Sequence, residues 1–194
     1  MKSLHAVAEV SAGFPFRGAV DDLPAGEVKV VQVRDVSGSA PIDWATVPSK
    51  ALPKSRSADF LRAGDVLITT RGRRNEAAAL LDPPAQAVAA TNLFVIRLGE
   101  GALLLPEFLA WQINQRPAQE YLAASATGSH VLNLTRPALE ALPIAIPTLQ
   151  QQRLAVEFSE CAAAEGAALK QLIAIRQQQI DAMALKILTG TISA

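Results

Sequence analysis

The stretch Leu149–Leu188, LQQQRLAVEFSECAAAEGAALKQLIAIRQQQIDAMALKIL, contains no proline and is rich in Ala, Leu, Gln, Glu, Lys and Arg. These side chains lose little freedom on entering a helix, so the stretch predicts one unbroken helix. Pro143 and Pro147 precede it. Thr148 stands as its N-cap, with Gln151 three residues on to complete a capping box, and Gly190 marks its stop. At about 1.5 Å per residue such a helix is roughly 60 Å long, more than a domain of this mass covers by itself.

The apolar residues indicate what else it meets. Phe158, Cys161, Ala168, Leu172 and Ile175 follow one another at steps compounded of three and four. Leu169, Ile173, Ile180, Met183 and Ile187 form a second stripe beside the first, interrupted by Arg176. Two adjacent stripes fit a helix packed on two things. A helix lying on its own domain is one reading; the preferred one is a helix that leaves its domain and pairs with another copy or another protein. Arg176 and Gln179 then set the register.

The chain has 194 residues, half of them hydrophobic, enough for one good core plus this helix. Residues 1–147 are expected to form the domain and 148–194 the helical extension. The formal net charge is zero, which excludes a polycation that coats nucleic acid or anionic membrane, so such a partner must meet a local patch. Cys161 is the sole cysteine, which excludes an internal disulfide and a cysteine-built metal site; it is expected to pack as a small apolar residue. His5 and His130 lack metal-ligand spacing with a carboxylate, so no metal is expected. There is neither a signal-peptide pattern nor about 18 consecutive apolar residues, and the chain is expected in the cytoplasm, where Asn133-Leu134-Thr135 meets no glycosylation machinery.

Before the long helix the pattern mixes strand and helix signals. Leu4 to Val10 is an apolar segment that breaks at Ser11-Ala12-Gly13, and Phe14-Pro15-Phe16-Arg17-Gly18 forms a turn-rich loop. Val28 to Val36 predicts a strand delivering Arg34 at its end, Asp65 to Thr70 the clearest strand, and Ala90 to Leu98 another. Ser37 to Asp59 reads as loop. Helices are predicted from Pro106 through Ile113, over Pro117 to Ala124, and around Pro137 to Leu142, followed by a short strand at Ile144-Ala145-Ile146.

Between Lys50 and Arg74, the residues Lys50, Lys54, Arg56, Arg62, Arg71, Arg73 and Arg74 face only Asp59 and Asp65. Phosphate suits such a run, and Arg71 to Asn75 at a strand end offers side chains that pair with guanine and adenine edges. A solvated basic loop is the alternative. Thr127-Gly128-Ser129-His130 can supply hydroxyl and N–H contacts or simply be exposed. Phe14 and Phe16 suit a core better than a stacking surface, while Arg17 is freer to meet a ligand.

Catalytic readings fail on their residues. Asp82-Pro83-Pro84-Ala85 is similar to the Asp-Pro-Pro-aromatic motif of amino-methyltransferases, but Ala85 stands where the stacking aromatic is needed. No glycine-rich cofactor turn, nucleophile elbow or phosphate-binding loop is present. Neither an enzyme nor a cofactor is expected.

The chain resembles the specificity (S) subunits of type I restriction–modification systems. The resemblance is carried by the segments AEVSAGFPFRG at 8–18, LRAGDVL at 61–67, Thr91-Asn92-Leu93, Pro106-Glu107-Phe108-Leu109, Gly128-Ser129-His130, and LPIAIP at 142–147 leading through Leu149, Gln151 and Gln152 into the helix. It implies an α/β (α+β) target recognition domain with a mixed sheet, reading a half-site in the major groove of double-stranded DNA. It also implies a long coiled-coil helix that serves as spacer and docks methyltransferase (modification) subunits, with a restriction subunit as a further partner.

Full family members carry two recognition domains and two helices, so this chain looks like a half-size form. It is expected to act as a homodimer on a split palindrome, paired through the ten stripe residues named above. From chemistry and loop position, Arg17, Arg34, Lys54, Arg56, Arg71, Arg73, Arg74, Asn75, Ser129 and His130 are the expected DNA contacts. A protein-interaction or scaffold module using the long helix without DNA readout is the alternative function.

Overall fold

The computed structural model describes residues 1–16, 27–38, 40–51, 58–72, 74–125 and 133–189. Arg17, Lys54, Arg56, Arg73, Ser129, His130 and Gly190 lie outside the described residues. The chain divides into two compact units, Met1–Arg153 and Leu154–Ala194.

The first unit is mixed α/β. Its central sheet is antiparallel, built from β2 (Ala8–Ala12), β5 (Val66–Thr69), β6 (Ala77–Ala79) and β8 (Leu93–Leu98) in the order β2-β8-β5-β6. A second sheet joins β3 (Val28–Val31) to β4 (Ser49–Lys50) antiparallel and to β7 (Ala87–Ala89) parallel. A ribbon of β1 (Lys2–Ser3) with β9 (Pro143–Ile144) ties the start of the chain to the segment that enters the long helix. Among the described residues the unit also carries the helices α1 (Pro106–Asn114), α2 (Arg116–Ser125) and α3 (Arg136–Glu140).

One core cluster gathers Val31, Leu61, Leu67, Leu80, Leu93 and Val95 among others, and a second joins Phe14 to Val28, Val30 and Val88. Phe14 is therefore core, as its sequence setting predicts, and Phe16 packs against the same cluster with its ring 5.3 Å from Lys50 Nζ.

Several local expectations are corrected. The strand predicted over Val28 to Val36 stops at Val31, and Val33–Asp35 turns as a short 3-10 helix. The cause is local: the Gln32 N–H donates to Asp35 Oδ2 at 2.8 Å, closing a box that competes with the ladder. Arg34 thus sits on a turn and not at a strand end. Ser11 and Ala12, read as a break, continue β2 because β8 pairs with them through Val95 and Phe94. The alanine-rich β6 and β7 have no strand signal of their own; pairing with β5 and β3 overrides the helix propensity of alanine.

The long helix, α4 (Leu149–Leu188), has the predicted bounds. Its capping box is present, with the Thr148 N–H donating to Gln151 Oε1 at 3.0 Å and the Gln151 N–H to Thr148 Oγ1 at 3.3 Å. In the second unit the helix keeps its apolar stripes open, with Phe158 76% and Ile173 69% exposed. Cys161, expected to pack, is exposed as well. No described helix is long and apolar enough to cross a membrane.

Candidate nucleic-acid interface

Strand register brings several loops to one end of the central sheet. Thr69, the last residue of β5, pairs with Leu93, the first of β8, and Ala12 at the end of β2 pairs with the next residue, Phe94. The loop 70–76, the turn Ala90–Asn92 and the chain leaving β2 therefore share one rim. Both the Thr70 N–H and its hydroxyl donate to the Asn92 carbonyl at 3.0 Å, joining the first two. Gly13 joins the third: its N–H donates to Leu93 O at 2.9 Å, and a Cβ there would fall 2.0 Å from the Ala90 carbonyl oxygen. The Ala90 N–H donates to Val31 O at 2.8 Å, which brings the turn bearing Arg34 to the same rim.

Within loop 70–76 the sequence supplies three arginines against one acid, Glu76. Gly72, with φ +137°, makes the bend that side-chain-bearing residues rarely adopt. Arg71 is exposed and bridges in strand fashion to Asn133, to whose Oδ1 its Nε donates at 3.0 Å. Leu134 N–H donates to Thr70 O at 2.9 Å, so the segment following the Thr127–His130 stretch is fastened to this loop. Arg74, also exposed, donates from one terminal nitrogen to the Asn114 carbonyl at 2.9 Å. Each guanidinium has more donors than such a bond uses.

Asn75 lies differently from its neighbours. It is half-buried, and its Nδ2 donates to the Thr69 carbonyl at 2.7 Å, so its amide closes the β5–β6 loop from inside. Its backbone is held by Gln119 of α2: the Asn75 N–H donates to Gln119 Oε1 at 3.2 Å, and Gln119 Nε2 donates to Asn75 O at 2.8 Å. Two residues on, the Ala77 N–H donates to Asn114 Oδ1 at 2.9 Å and Asn114 Nδ2 to Ala77 O at 2.8 Å. Side-chain amides from two helices thus replace a neighbouring strand along the open edge of β6.

The acids that oppose the basic run in sequence are committed elsewhere. Asp65 is buried, and Arg97 donates to both its oxygens at 2.8 Å while also reaching Asp59 at 3.1 Å. Its bond to Asp65 holds the Arg97 guanidinium above its ordinary pKa, with the charges of Asp65 and Asp59 adding to the effect. Because Val66 pairs with Ile96, this cluster lies at the opposite end of β5 from Thr69. Arg62, 3.9 Å from Asp59, belongs to that end too. β5 therefore separates Arg62 from Arg71 and Arg74, and these last two stand at the rim.

Of the residues expected to contact a ligand, Arg71, Arg74 and Asn75 share the loop, and Arg34 occupies the neighbouring turn, exposed, with its Nε 3.7 Å from Asp35. Sequence reasoning missed Arg97, Asn114, Gln119 and Asn133. The available signal was slight: an arginine ending an apolar strand, and polar amides within otherwise apolar helical surroundings.

The fold, a small mixed α/β unit followed by a helix of 40 residues, is similar to that of solved S subunits of type I restriction–modification systems. Three solved structures carry the comparison. A chain from a study of complex assembly and conformational transition of the type I R-M system matches with a TM-score of 0.66 at 18% identity, covering 96% of this chain and 44% of its own. The S subunit from M. genitalium matches with a TM-score of 0.55 at 14% identity, over 97% of this chain and 45% of that one. The HsdS subunit from Thermoanaerobacter tengcongensis gives 0.59 at 19% identity, over 88% and 39%. The chain spans less than half the length of each of these chains. No protein-family model matches the sequence, and no curated protein shows significant similarity to it.

Proposed function

We propose that this protein is a non-catalytic, sequence-specific DNA-binding specificity subunit of a type I restriction–modification system. The observation that carries the proposal is the rim: exposed Arg71 and Arg74 stand on one loop, each fastened by a hydrogen bond, while Asp59 and Asp65 are paired with Arg97 at the opposite end of β5. Residues 1–147 read one half-site in the major groove, where arginine pairs with guanine and fixes register on phosphates. Arg17, Arg34, Lys54, Arg56, Arg73, Asn75, Ser129 and His130 belong to the same proposal.

Residues 148–194 pair with the helix of a second copy and provide the docking surface for methyltransferase subunits. The exposed stripes on α4 support this, because a contiguous apolar surface of that kind marks an interaction site. A symmetric pair reads a split palindrome. The setting is the cytoplasm, where such a complex meets DNA.

The test is long-read mapping of methylated adenines in the source genome with the gene intact and deleted. Loss of one split palindromic motif is the expected result. An asymmetric split motif would replace the homodimer by a pair of unlike halves, and an unchanged map in cells that express the protein would overturn the specificity role in favour of an interaction module.

A further inference from the structure

The side-chain amides gathered around the rim are mostly spent on the protein itself. Asn75 bonds Thr69, Asn114 bonds Ala77, Gln119 bonds Asn75, and Asn133 accepts from Arg71. Asn92 is the exception. It is exposed, and among the described residues its side-chain amide makes no hydrogen bond.

Asn92 stands in the turn from Ala90 to Leu93, closed by the Leu93 N–H donating to the Ala90 carbonyl at 3.0 Å. Asparagine is common in turns because it tolerates a positive φ and because its side chain can bond its own backbone two residues on. Neither reason applies to this turn: no described residue other than glycine has a positive φ, and the local side-chain bond is absent. Nor does the amide fasten the turn to its neighbours. The Asn92 carbonyl does that by accepting from the Thr70 N–H and hydroxyl, both at 3.0 Å, and the Thr91 hydroxyl adds a bond to Phe14 O at 3.2 Å. The fold thus pins the backbone of Asn92 beside the residue that precedes Arg71 and leaves the amide open.

A carboxamide carries donors and an acceptor side by side. In the major groove adenine offers the matching pair, N7 as acceptor and N6 as donor, whereas guanine offers two acceptors and would set O6 against the amide oxygen. Cytosine presents a donor alone, and thymine an acceptor beside a methyl group. Arginine has only donors and therefore suits guanine or phosphate. We infer that Asn92 is a specificity-determining residue that reads one adenine of the half-site, next to the contact of Arg71, an inference that rests on the DNA-recognition reading above.

The experiment titrates the full-length protein, with any modification subunits that co-purify, against a duplex carrying the site found by methylation mapping and against a scrambled duplex. In one half-site each adenine, on either strand, is replaced in turn by an analogue with carbon in place of N7, which keeps Watson–Crick pairing and removes the acceptor. For the wild-type protein one such replacement is expected to weaken binding about tenfold. Asn92→Ala should lose at least as much on the unmodified site, and the same replacement should then cost it less than about a further twofold, because the contact is already gone. Asn92→Asp, which keeps the size of the side chain and loses the donor, should shift preference at that position from adenine to cytosine, whose N4 donates to a carboxylate. Full affinity of Asn92→Ala for the mapped site would overturn the inference. So would a loss in Asn92→Ala to which every adenine replacement adds independently, since that marks a phosphate contact or a disturbed turn. A wild-type protein that binds the mapped and scrambled duplexes alike would instead overturn the DNA-recognition reading itself, and this inference with it.

Discussion

Asn114 and Ala77 exchange two hydrogen bonds, 2.9 and 2.8 Å long, across 37 residues of sequence. The pair gives β6 the partner that an edge strand lacks, using one side-chain amide in place of a peptide unit. Asn114→Leu should leave the Ala77 N–H and carbonyl unpaired and cost about 1–3 kcal/mol of stability. Gly38 backs the same amide: a Cβ there would come 2.9 Å from Asn114 Cγ, so Gly38→Ala should show a smaller loss in the same direction. Urea unfolding checks both, and an unchanged midpoint for Asn114→Leu would remove its edge-closing role.

The Arg97–Asp65 pair makes a different demand. Asp65 is 1% exposed and both its oxygens accept from Arg97, so Arg97→Leu strands a buried carboxylate. A loss of about 3–5 kcal/mol is expected. The double variant Arg97→Leu with Asp65→Leu should recover much of it, because the uncompensated charge is gone. The Arg62 N–H, which donates to Asp65 Oδ2 at 2.9 Å, loses its partner in that variant and sets a limit on the recovery. Chemical denaturation of the three variants decides the matter; a double variant no better than the single would mean that hydrogen bonding, not charge, dominates.

These two relationships mark where the sequence stops being legible. Helix α4 could be read to its ends because its signals are local: composition, period and the Thr148–Gln151 box all lie within a few residues of one another. Strands β6 and β7 could not, because alanine does not favour a strand, and only partners far away in the chain impose that state. The same division holds at the rim. A run of arginines announces itself by composition, but the turning of the Asn75 amide onto Thr69 depends on the closed loop.

Arg71 and Arg74 are exposed, and each spends a single donor on the protein among the described residues. Alanine at either position should therefore leave unfolding nearly unchanged while weakening DNA binding by about 1–3 kcal/mol. The pattern separates two roles. Relaxed preference at one base pair identifies a base contact, whereas a uniform loss over all sequences with a shallower salt dependence identifies a phosphate contact. Binding isotherms over single-base variants of the mapped site, at two salt concentrations, provide the readout; full affinity for every sequence would exclude that arginine from the interface.

On α4, Leu169, Leu172, Ile173 and Ile180 are all at least half exposed in the single chain. Burying each such side chain against a second helix contributes roughly 1.5–3 kcal/mol, so a few of them suffice to hold two copies together. A charge in the middle of the stripe opposes that burial directly. Ile173→Glu should give a monomer by light scattering at micromolar concentration, where the wild-type protein is a dimer. Its single half-site affinity should stay as in the wild type, since the substitution lies outside the Met1–Arg153 unit. Affinity for the full split site should fall by about a hundredfold or more, because the second half-site is no longer delivered at high effective concentration. A wild-type protein that is itself monomeric would count against pairing through this helix, and a dimeric Ile173→Glu would move the contact to another surface.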